Sequence, residues 1–166
     1  MKKISAMLLA VCMLFGVSAC GKTDTIQADT ADLQTRTGYI VIAEDGLHFD
    51  AVEVVTKDDT EKIKELRLEE MKDYPNGFAI VNQEQQEEVF TFADDVQFQF
   101  VDTALDFIDA SEKDGNRVYQ TNQIEEFLKH LGDLNDIPLS EQTIPYTIIL
   151  KDGKVINVIE ELQYTI

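Results

Sequence analysis

The chain is poor in the residues that support cysteine and histidine chemistry. Its 166 residues include two cysteines and two histidines and no tryptophan. Cys12 lies within an apolar run near the start, and Cys20 follows Ser18 and Ala19. No cysteine comes after residue 20, so the rest of the chain has no thiol for a disulfide, a zinc site or a nucleophile. The folded part must therefore be stable without covalent cross-links.

Basic residues are also scarce. The sequence has 14 Lys and Arg against 32 Asp and Glu, a formal net charge of −18. Such a field repels phosphate backbones, which excludes nucleic acid as an expected partner. It attracts cationic peptides and divalent ions. It also keeps an exported protein soluble, which is the simpler interpretation of the composition.

Common catalytic motifs are missing. The sequence contains no glycine-rich phosphate loop of the Walker or dinucleotide type and no Gly-x-Ser-x-Gly elbow. His48 shares a predicted strand face with Asp50, and such a pair could orient a general base, although no serine or threonine partner can be assigned. A solvated cross-strand pair is the alternative. His130 lies near a predicted helix C-terminus, where the dipole favours a cation, which predicts a capping role. The sequence therefore predicts a domain that is not an enzyme.

The first twenty residues have the pattern of an export signal. Lys2 and Lys3 precede an unbroken apolar run at residues 7–17. This run is shorter than the roughly 20 residues that span a bilayer. Val17-Ser18-Ala19-Cys20 follows and resembles the lipobox of bacterial lipoproteins. An ordinary secretory signal with a chance cysteine is the alternative.

The lipobox resemblance implies a cellular location and a membrane anchor. It implies removal of residues 1–19 and a diacylglycerol thioether on Cys20, the only cofactor-like group expected besides calcium. The protein would then be held by its lipid on the extracytoplasmic face of the cell membrane. Loss of Lys2 and Lys3 would leave 12 basic and 32 acidic residues, a formal charge of −20.

The remaining chain is expected to form one domain behind a tether. Residues 20–37 comprise the lipidated cysteine and a polar stretch that we interpret as a flexible tether with a reach of about 20 to 25 Å. Residues 38–166 are expected to form a single β-rich globular domain, since a chain of this length can bury a sufficient core.

Short β patterns and Asp-Gly turns dominate the predicted domain. Asp45-Gly46 and Asp152-Gly153 predict two hairpins. The apolar pattern changes face after Ala51, which predicts a bulge or a strand that curves between two sheets. Two capping-box patterns, Asp58 with Glu61 and Asn122 with Glu125, predict two short helices, and Gly132 is placed to end the second. About seven short strands and two helices predict an α+β, mainly β fold, a small curled barrel or sandwich, with an OB-like barrel as one form.

Several turn and strand segments together resemble a protein family. The segments are Gly38-Tyr39, Asp45-Gly46-Leu47, Asp50 to Thr56 with Asp59, Asn76 to Asn82, and Pro145 with Lys151 to Ile156. They are similar to uncharacterised small lipoproteins of Gram-positive gut bacteria. The resemblance covers most of residues 38–160 and implies an envelope address and a β-rich domain. It assigns no active site.

One acidic stretch suggests a metal site. Asp102, Asp106, Asp109 and Asp114 lie close in sequence, with Glu112 between the last two. Hard cations such as Ca²⁺ require several such oxygens. The match to a calcium loop is poor, because Gly115 comes one residue late and Gln120 occupies the position of the bidentate acid. A solvated acidic turn is the alternative.

Two functions follow from these patterns. The first is a membrane-anchored extracytoplasmic protein whose non-catalytic domain binds a peptide, a protein or a polymer of the envelope. Gln97 and Gln99 on a wet strand face, with Tyr39 or Tyr146 at a sheet edge, are its expected contacts. The second is a calcium-binding or carboxylate-dependent hydrolytic domain that uses the stretch from Asp102 to Asp114.

Overall fold

The computed structural model of the protein describes residues 32–109 and 117–161. The predicted signal segment, Cys20 and most of the predicted tether lie outside these residues. So does Asp114, one of the four predicted metal ligands. No helix among the described residues is long and apolar enough to cross a membrane.

The described residues form nine strands and three α-helical segments. These are β1 (Leu33–Ala43), β2 (Gly46–Ala51), β3 (Glu53–Thr56), α1 (Thr60–Leu66), α2 (Glu70–Asp73), β4 (Phe78–Val81), β5 (Glu87–Phe90), β6 (Phe92–Val101), β7 (Val118–Thr121), α3 (Ile124–Leu131), β8 (Tyr146–Lys151) and β9 (Lys154–Glu160). Two 3₁₀ turns, Gly132–Asp136 and Leu139–Glu141, follow α3.

Seven strands form one mixed sheet. Their order is β5-β2-β1-β8-β9-β6-β7, and β3 with β4 forms a separate two-stranded sheet. The neighbours pair antiparallel except β6 and β9, which run parallel. Both predicted Asp-Gly hairpins are confirmed, as β1–β2 and β8–β9. The chain leaves the large sheet at Ala51 and enters the small one at Glu53, as the change of face after Ala51 predicts.

Strand β1 changes partner at Gly38. Its first half pairs with β8 and its second half with β2, and Gly38 belongs to both pairings. A Cβ atom at Gly38 would lie 2.4 Å from the carbonyl oxygen of Asp50 and 2.5 Å from the Phe49 ring. Only glycine therefore allows this close approach of β1 to β2. The strand begins at Leu33, so five residues that we assigned to the tether are paired with β8.

One face of the large sheet carries the main core. Ile40 and Phe49 lie on this face with Phe98, Phe100 and Ile148, and all five are at most 2% exposed. Helix α3 covers them with Phe127 and Leu131. The Phe98 and Phe127 rings stack with centroids 4.8 Å apart. Burial on this face leaves the outward-facing side chains of β1, β2 and β5 to form a different surface.

The α+β, mainly β fold class is confirmed, and the arrangement is sandwich-like. Strands β5 and β7 are the two edges of the seven-stranded sheet and do not pair with each other, so the described residues form no closed or OB-like barrel. Both predicted helices are present, and Gly132 ends the second one with φ 50°. Their N-caps are Asp59 and Gln123, one residue later than predicted.

Candidate functional site

A groove lies beside the outward face of strand β2, and we call it the β2 groove. It consists of two adjoining cavities of about 280 and 250 Å³ that share Glu87, Pro138 and Leu139. Strands β1, β2 and β5 form its floor, and residues 135–140 form its wall. Its lining residues are Val41, Ala43, His48, Asp50, Gln85, Glu87, Asn135, Asp136, Ile137, Pro138, Leu139 and Ser140.

Strand alternation places the polar floor residues together. Leu47 and Phe49 point into the core, so His48 and Asp50 point to the opposite face. In the antiparallel register of β2 with β5, His48 faces Val89 and Asp50 faces Glu87. Two carboxylates therefore occupy directly opposed positions on the same face of the sheet, an arrangement that costs free energy unless a cation lies nearby.

Asp50 is the inner carboxylate of this pair. It is only 2% exposed. Its Oδ2 accepts a hydrogen bond from Asn82 Nδ2 at 2.7 Å, and its Oδ1 accepts one from the backbone N–H of Gln86 at 3.1 Å. Within the described ranges it forms no ion pair. The other end of the Asn82 amide, Oδ1, is buried without a hydrogen-bond partner there.

His48 balances the outer carboxylate. Its Nδ1 lies 2.5 Å from Glu87 Oε1, and its Nε2 lies 2.8 Å from Asp45 Oδ1. Hydrogen bonds to Asp45 and then Glu87 raise the pKa of His48 above its usual value. The imidazolium form satisfies both contacts, because each ring nitrogen then carries a proton to donate.

Glu88, the next residue on β5, forms an ion pair with Arg36 on the opposite face of the sheet. Arg36 donates to both carboxylate oxygens of Glu88, with Nη1 2.9 Å from Oε2. The hydrogen bond from Arg36 lowers the pKa of Glu88. The Arg36 guanidinium also lies over the Phe49 ring, 4.9 Å from its centroid. Arg36 therefore forms its ion pair with Glu88 and not with Asp50.

The wall of the groove is fixed by side-chain amides. Asn135 Oδ1 accepts the backbone N–H of Ile42 at 2.8 Å, and its Nδ2 donates to the Ile42 carbonyl at 2.9 Å. This amide pairs with β1 as a neighbouring strand would. Gln142 Nε2 donates to the carbonyls of Leu134 and Ile137. The wall is therefore part of the folded domain, with an apolar surface formed by Ile137, Pro138 and Leu139.

His48 forms a cross-strand pair with Glu87, the alternative to the pair with Asp50 that could orient a general base. His48 and Asp50 lie on one strand face, as expected, but the imidazole contacts Asp45 and Glu87. Asp50 is buried rather than solvated, because Asn82, Gln86 and the groove wall cover it. Both ring nitrogens of His48 are engaged, so neither is free to activate a nucleophile in this arrangement.

The acidic stretch has a structural role at its first residue. Asp102 is 2% exposed and accepts the backbone N–H groups of Asp106, Phe107 and Ile108 at 2.8 to 2.9 Å. Burial raises its pKa, but these N–H bonds outweigh it and lower the pKa overall. Asp106 and Asp109 are exposed. In residues 32–109 and 117–161, no group of three or more His, Cys, Asp or Glu is placed to hold a metal ion.

The other predicted contacts lie elsewhere. His130 is in the last turn of α3, but its ring stacks on Phe100 at 4.1 Å and its Nε2 lies 3.1 Å from Glu160. Tyr146 is a core residue at 2% exposure, since β8 is a central strand and not an edge. Gln99 accepts a hydrogen bond from Gln120, while Gln97 is exposed.

Comparison of the chain with protein-family models, with curated proteins and with solved structures found no match. The resemblance to small Gram-positive lipoproteins therefore rests on the sequence segments quoted above. The site is assigned from its geometry alone.

Sequence reasoning missed two groove residues, Glu87 and Asn135. Glu87 lies in a run of charged residues of the kind that is typical of a turn, but it begins β5. A strand that starts with two glutamates gives no local signal. Asn135 follows the helix-ending Gly132, and its pairing with Ile42 joins positions 93 residues apart. Only the tertiary fold reveals that contact.

Proposed function

We propose that the protein is a lipid-anchored extracytoplasmic binding protein whose β domain holds a cationic peptide segment in the β2 groove. The anchor is the diacylglycerol on Cys20, after removal of residues 1–19. The domain reaches its ligand from the outer face of the membrane, at the end of a short tether.

The observation that carries the proposed binding is the unbalanced negative charge of the groove floor. Asp50 and Glu87 face each other across β2 and β5, and in the described ranges His48, which contacts Glu87 and Asp45 but not Asp50, is the single cationic side chain that contacts this pair. A buried carboxylate without a cation is costly to the folded state. A positively charged ligand supplies the missing charge.

The shape of the groove suits an extended segment. Its two cavities adjoin end to end along β2, and one side is apolar at Ile137, Pro138 and Leu139. Aliphatic parts of a peptide can pack on that side while its cations face Asp50 and Glu87. The fixed wall means that little ordering is needed on binding, which favours affinity.

Catalysis has less support than binding. In the described part of the chain, the contacts of His48 are with two carboxylates and with no serine or threonine hydroxyl. The calcium alternative depends on Asp102, whose Oδ2 already accepts two N–H bonds, and on Asp114, which the structure does not describe. We therefore assign the groove a binding role.

The anchor is tested by cell fractionation of a bacterium that expresses the full chain. We expect wild-type protein in the membrane fraction, labelled by an alkyne fatty acid. Cys20→Ser should lose the label and leave that fraction, whereas Cys12→Ser should retain both. Release of the wild-type protein without label would contradict the anchor.

Binding is tested with the processed chain, residues 20–166, carrying Cys20→Ser so that it stays free of lipid. The probes are the peptides acetyl-(Ala-Lys)₄-amide and acetyl-(Ala-Glu)₄-amide, titrated by calorimetry at low salt. We expect binding of the lysine peptide alone, weakened as salt rises. Failure to bind any cationic peptide would contradict the proposed function.

A further inference from the structure

Asp50, at the inner end of the β2 groove, has more acceptor positions than hydrogen-bond donors. Asp50 has four lone-pair positions and two donors, from Asn82 and Gln86. Glu87 adds further acceptors from the opposed position on β5.

A group with several donors and a positive charge matches this excess. An ammonium has three N–H donors on a compact point charge, so it can contact carboxylates from two adjacent strands at once. A guanidinium presents a planar fork that fits one carboxylate side on, as Arg36 does with Glu88. Two opposed carboxylates on adjacent strands therefore favour an ammonium.

The surroundings of the acceptors suit an alkyl chain. The cavity of about 250 Å³ that contains Asp50 and Glu87 is also lined by Pro138 and Leu139. A lysine side chain carries four methylenes that can pack on such a surface while the charge reaches the carboxylates. The adjoining cavity, with Val41 and Ala43, leaves room for the rest of the ligand.

We infer that the β2 groove recognises a lysine-type alkylammonium group, seated between Asp50 and Glu87 with its methylene stem against Pro138 and Leu139. This inference rests on the proposed function, since it names the group of the cationic peptide that the groove selects. Asp50 and Glu87 are binding residues in this arrangement, and Asn82 positions Asp50.

The test compares three peptides of equal charge on the processed Cys20→Ser chain. They are acetyl-(Ala-Lys)₄-amide, the same peptide with Nε-trimethyllysine, and acetyl-(Ala-Arg)₄-amide. Trimethylation keeps the charge and removes every N–H donor. Because hydrogen bonds to charged groups contribute strongly, we expect the lysine peptide to bind about tenfold more tightly than the trimethylated one. We expect the arginine peptide to bind more weakly than the lysine peptide.

Matched variants test where the ammonium group binds. Asp50→Asn and Glu87→Gln should each weaken the lysine peptide by about tenfold and reduce its preference over the trimethylated peptide. Asp94→Asn removes the same charge from an exposed position on β6 and should leave binding unchanged. Glu87 is exposed, so its variant keeps the test valid even where Asp50→Asn fails to fold.

The outcomes separate this inference from the proposed function. Equal binding of the lysine and trimethyllysine peptides, or unchanged binding in both groove variants, would overturn the inference that an ammonium binds between Asp50 and Glu87. The groove would remain a cation site. Absence of binding by all three peptides would overturn this inference and the proposed function together.

Discussion

Asp50 on β2 and Glu87 on β5 face each other across the sheet, and His48 contacts Glu87 but not Asp50. The more buried of two opposed carboxylates therefore lacks a cation in the described part of the chain. Local violations of good packing and charge balance are expected where a protein binds something. Negative charge that destabilises the free protein would stabilise its complex with a cationic ligand.

Asp50→Asn should leave the free protein at least as stable as wild type. Once the Asn82 amide flips, the new amide can accept from Gln86 and donate to Asn82 Oδ1, so both hydrogen bonds of Asp50 are replaced, while Asn82 Nδ2 takes the buried position that lacks a partner. Removing the like-charge opposition adds up to about 1 kcal/mol to the free energy of unfolding. Urea unfolding at pH 7 measures this difference.

Glu87→Gln removes the same like-charge repulsion but loses a contact with His48. The free energy of unfolding should therefore change less than in Asp50→Asn. A loss of several kcal/mol in Asp50→Asn would contradict this account. It would mean that the Asp50 carboxylate stabilises the pairing of β2 with β5 in the absence of a ligand.

Local patterns were sufficient for much of the fold. The two Asp-Gly hairpins, α3 with its terminal glycine, and the passage of the chain between sheets after Ala51 all follow from turn chemistry and periodicity. Each depends on residues close in sequence. The parallel pairing of β6 with β9 has no such signal, because it joins segments separated by β7, α3 and β8. The short strand β7 was missed although Val118, Tyr119 and Thr121 favour strands.

The site was less accessible to sequence reasoning than the fold. The alternation of β2 correctly placed His48 and Asp50 on one face, yet it did not identify Glu87 as the cross-strand partner of His48 or Asn82 as the partner of Asp50. Those partners depend on the register of β5 and on the path of residues 135–140 over β1. Both are tertiary features that bring together residues about 40 and 90 positions apart. The acidic stretch gave a strong composition signal, but composition alone could not show that Asp102 binds backbone N–H groups.

The stability contributed by His48 should depend on pH. Its folded pKa is raised above the usual value of 6.5 by Asp45 and Glu87. A raised pKa means that the charged imidazole stabilises the fold fully below its unfolded pKa. This contribution is lost as the pH rises through the folded pKa. His48→Gln should therefore lower the free energy of unfolding by about 1 kcal/mol at pH 5.5 and by much less at pH 9, as partly exposed ion pairs contribute little.

Urea unfolding of both proteins at the two pH values measures that contribution. Lys57→Gln is the matched control, because it removes one positive charge from an exposed position near β3. Its effect should be the same at both pH values. An equal effect of His48→Gln at pH 5.5 and pH 9 would show that the imidazole contributes packing rather than charge.

Asn135→Ala should loosen the groove wall. The substitution removes the partners of both the N–H and the carbonyl of Ile42 at the edge of β1. Unsatisfied backbone groups of this kind cost about 2 kcal/mol. Urea unfolding should show the loss, and amide hydrogen exchange should be faster at Ile42. Asp133→Ala, an exposed change in the same 3₁₀ turn, should alter neither quantity. Unchanged exchange at Ile42 would mean that Asn135 does not fix the wall.

Calcium should leave the melting temperature of the processed chain unchanged, and magnesium likewise. The carboxylate oxygens of Asp102 already accept hydrogen bonds from three backbone N–H groups. These hydrogen bonds fix the loop from Asp102 to Ile108. Asp102→Asn replaces one accepting oxygen by an NH₂ donor that opposes those N–H groups, so it should cost about 2 kcal/mol with or without metal. Asp106→Asn, an exposed change in the same loop, should cost little. A rise in melting temperature with calcium alone, abolished by both variants, would instead restore the acidic stretch as a metal site.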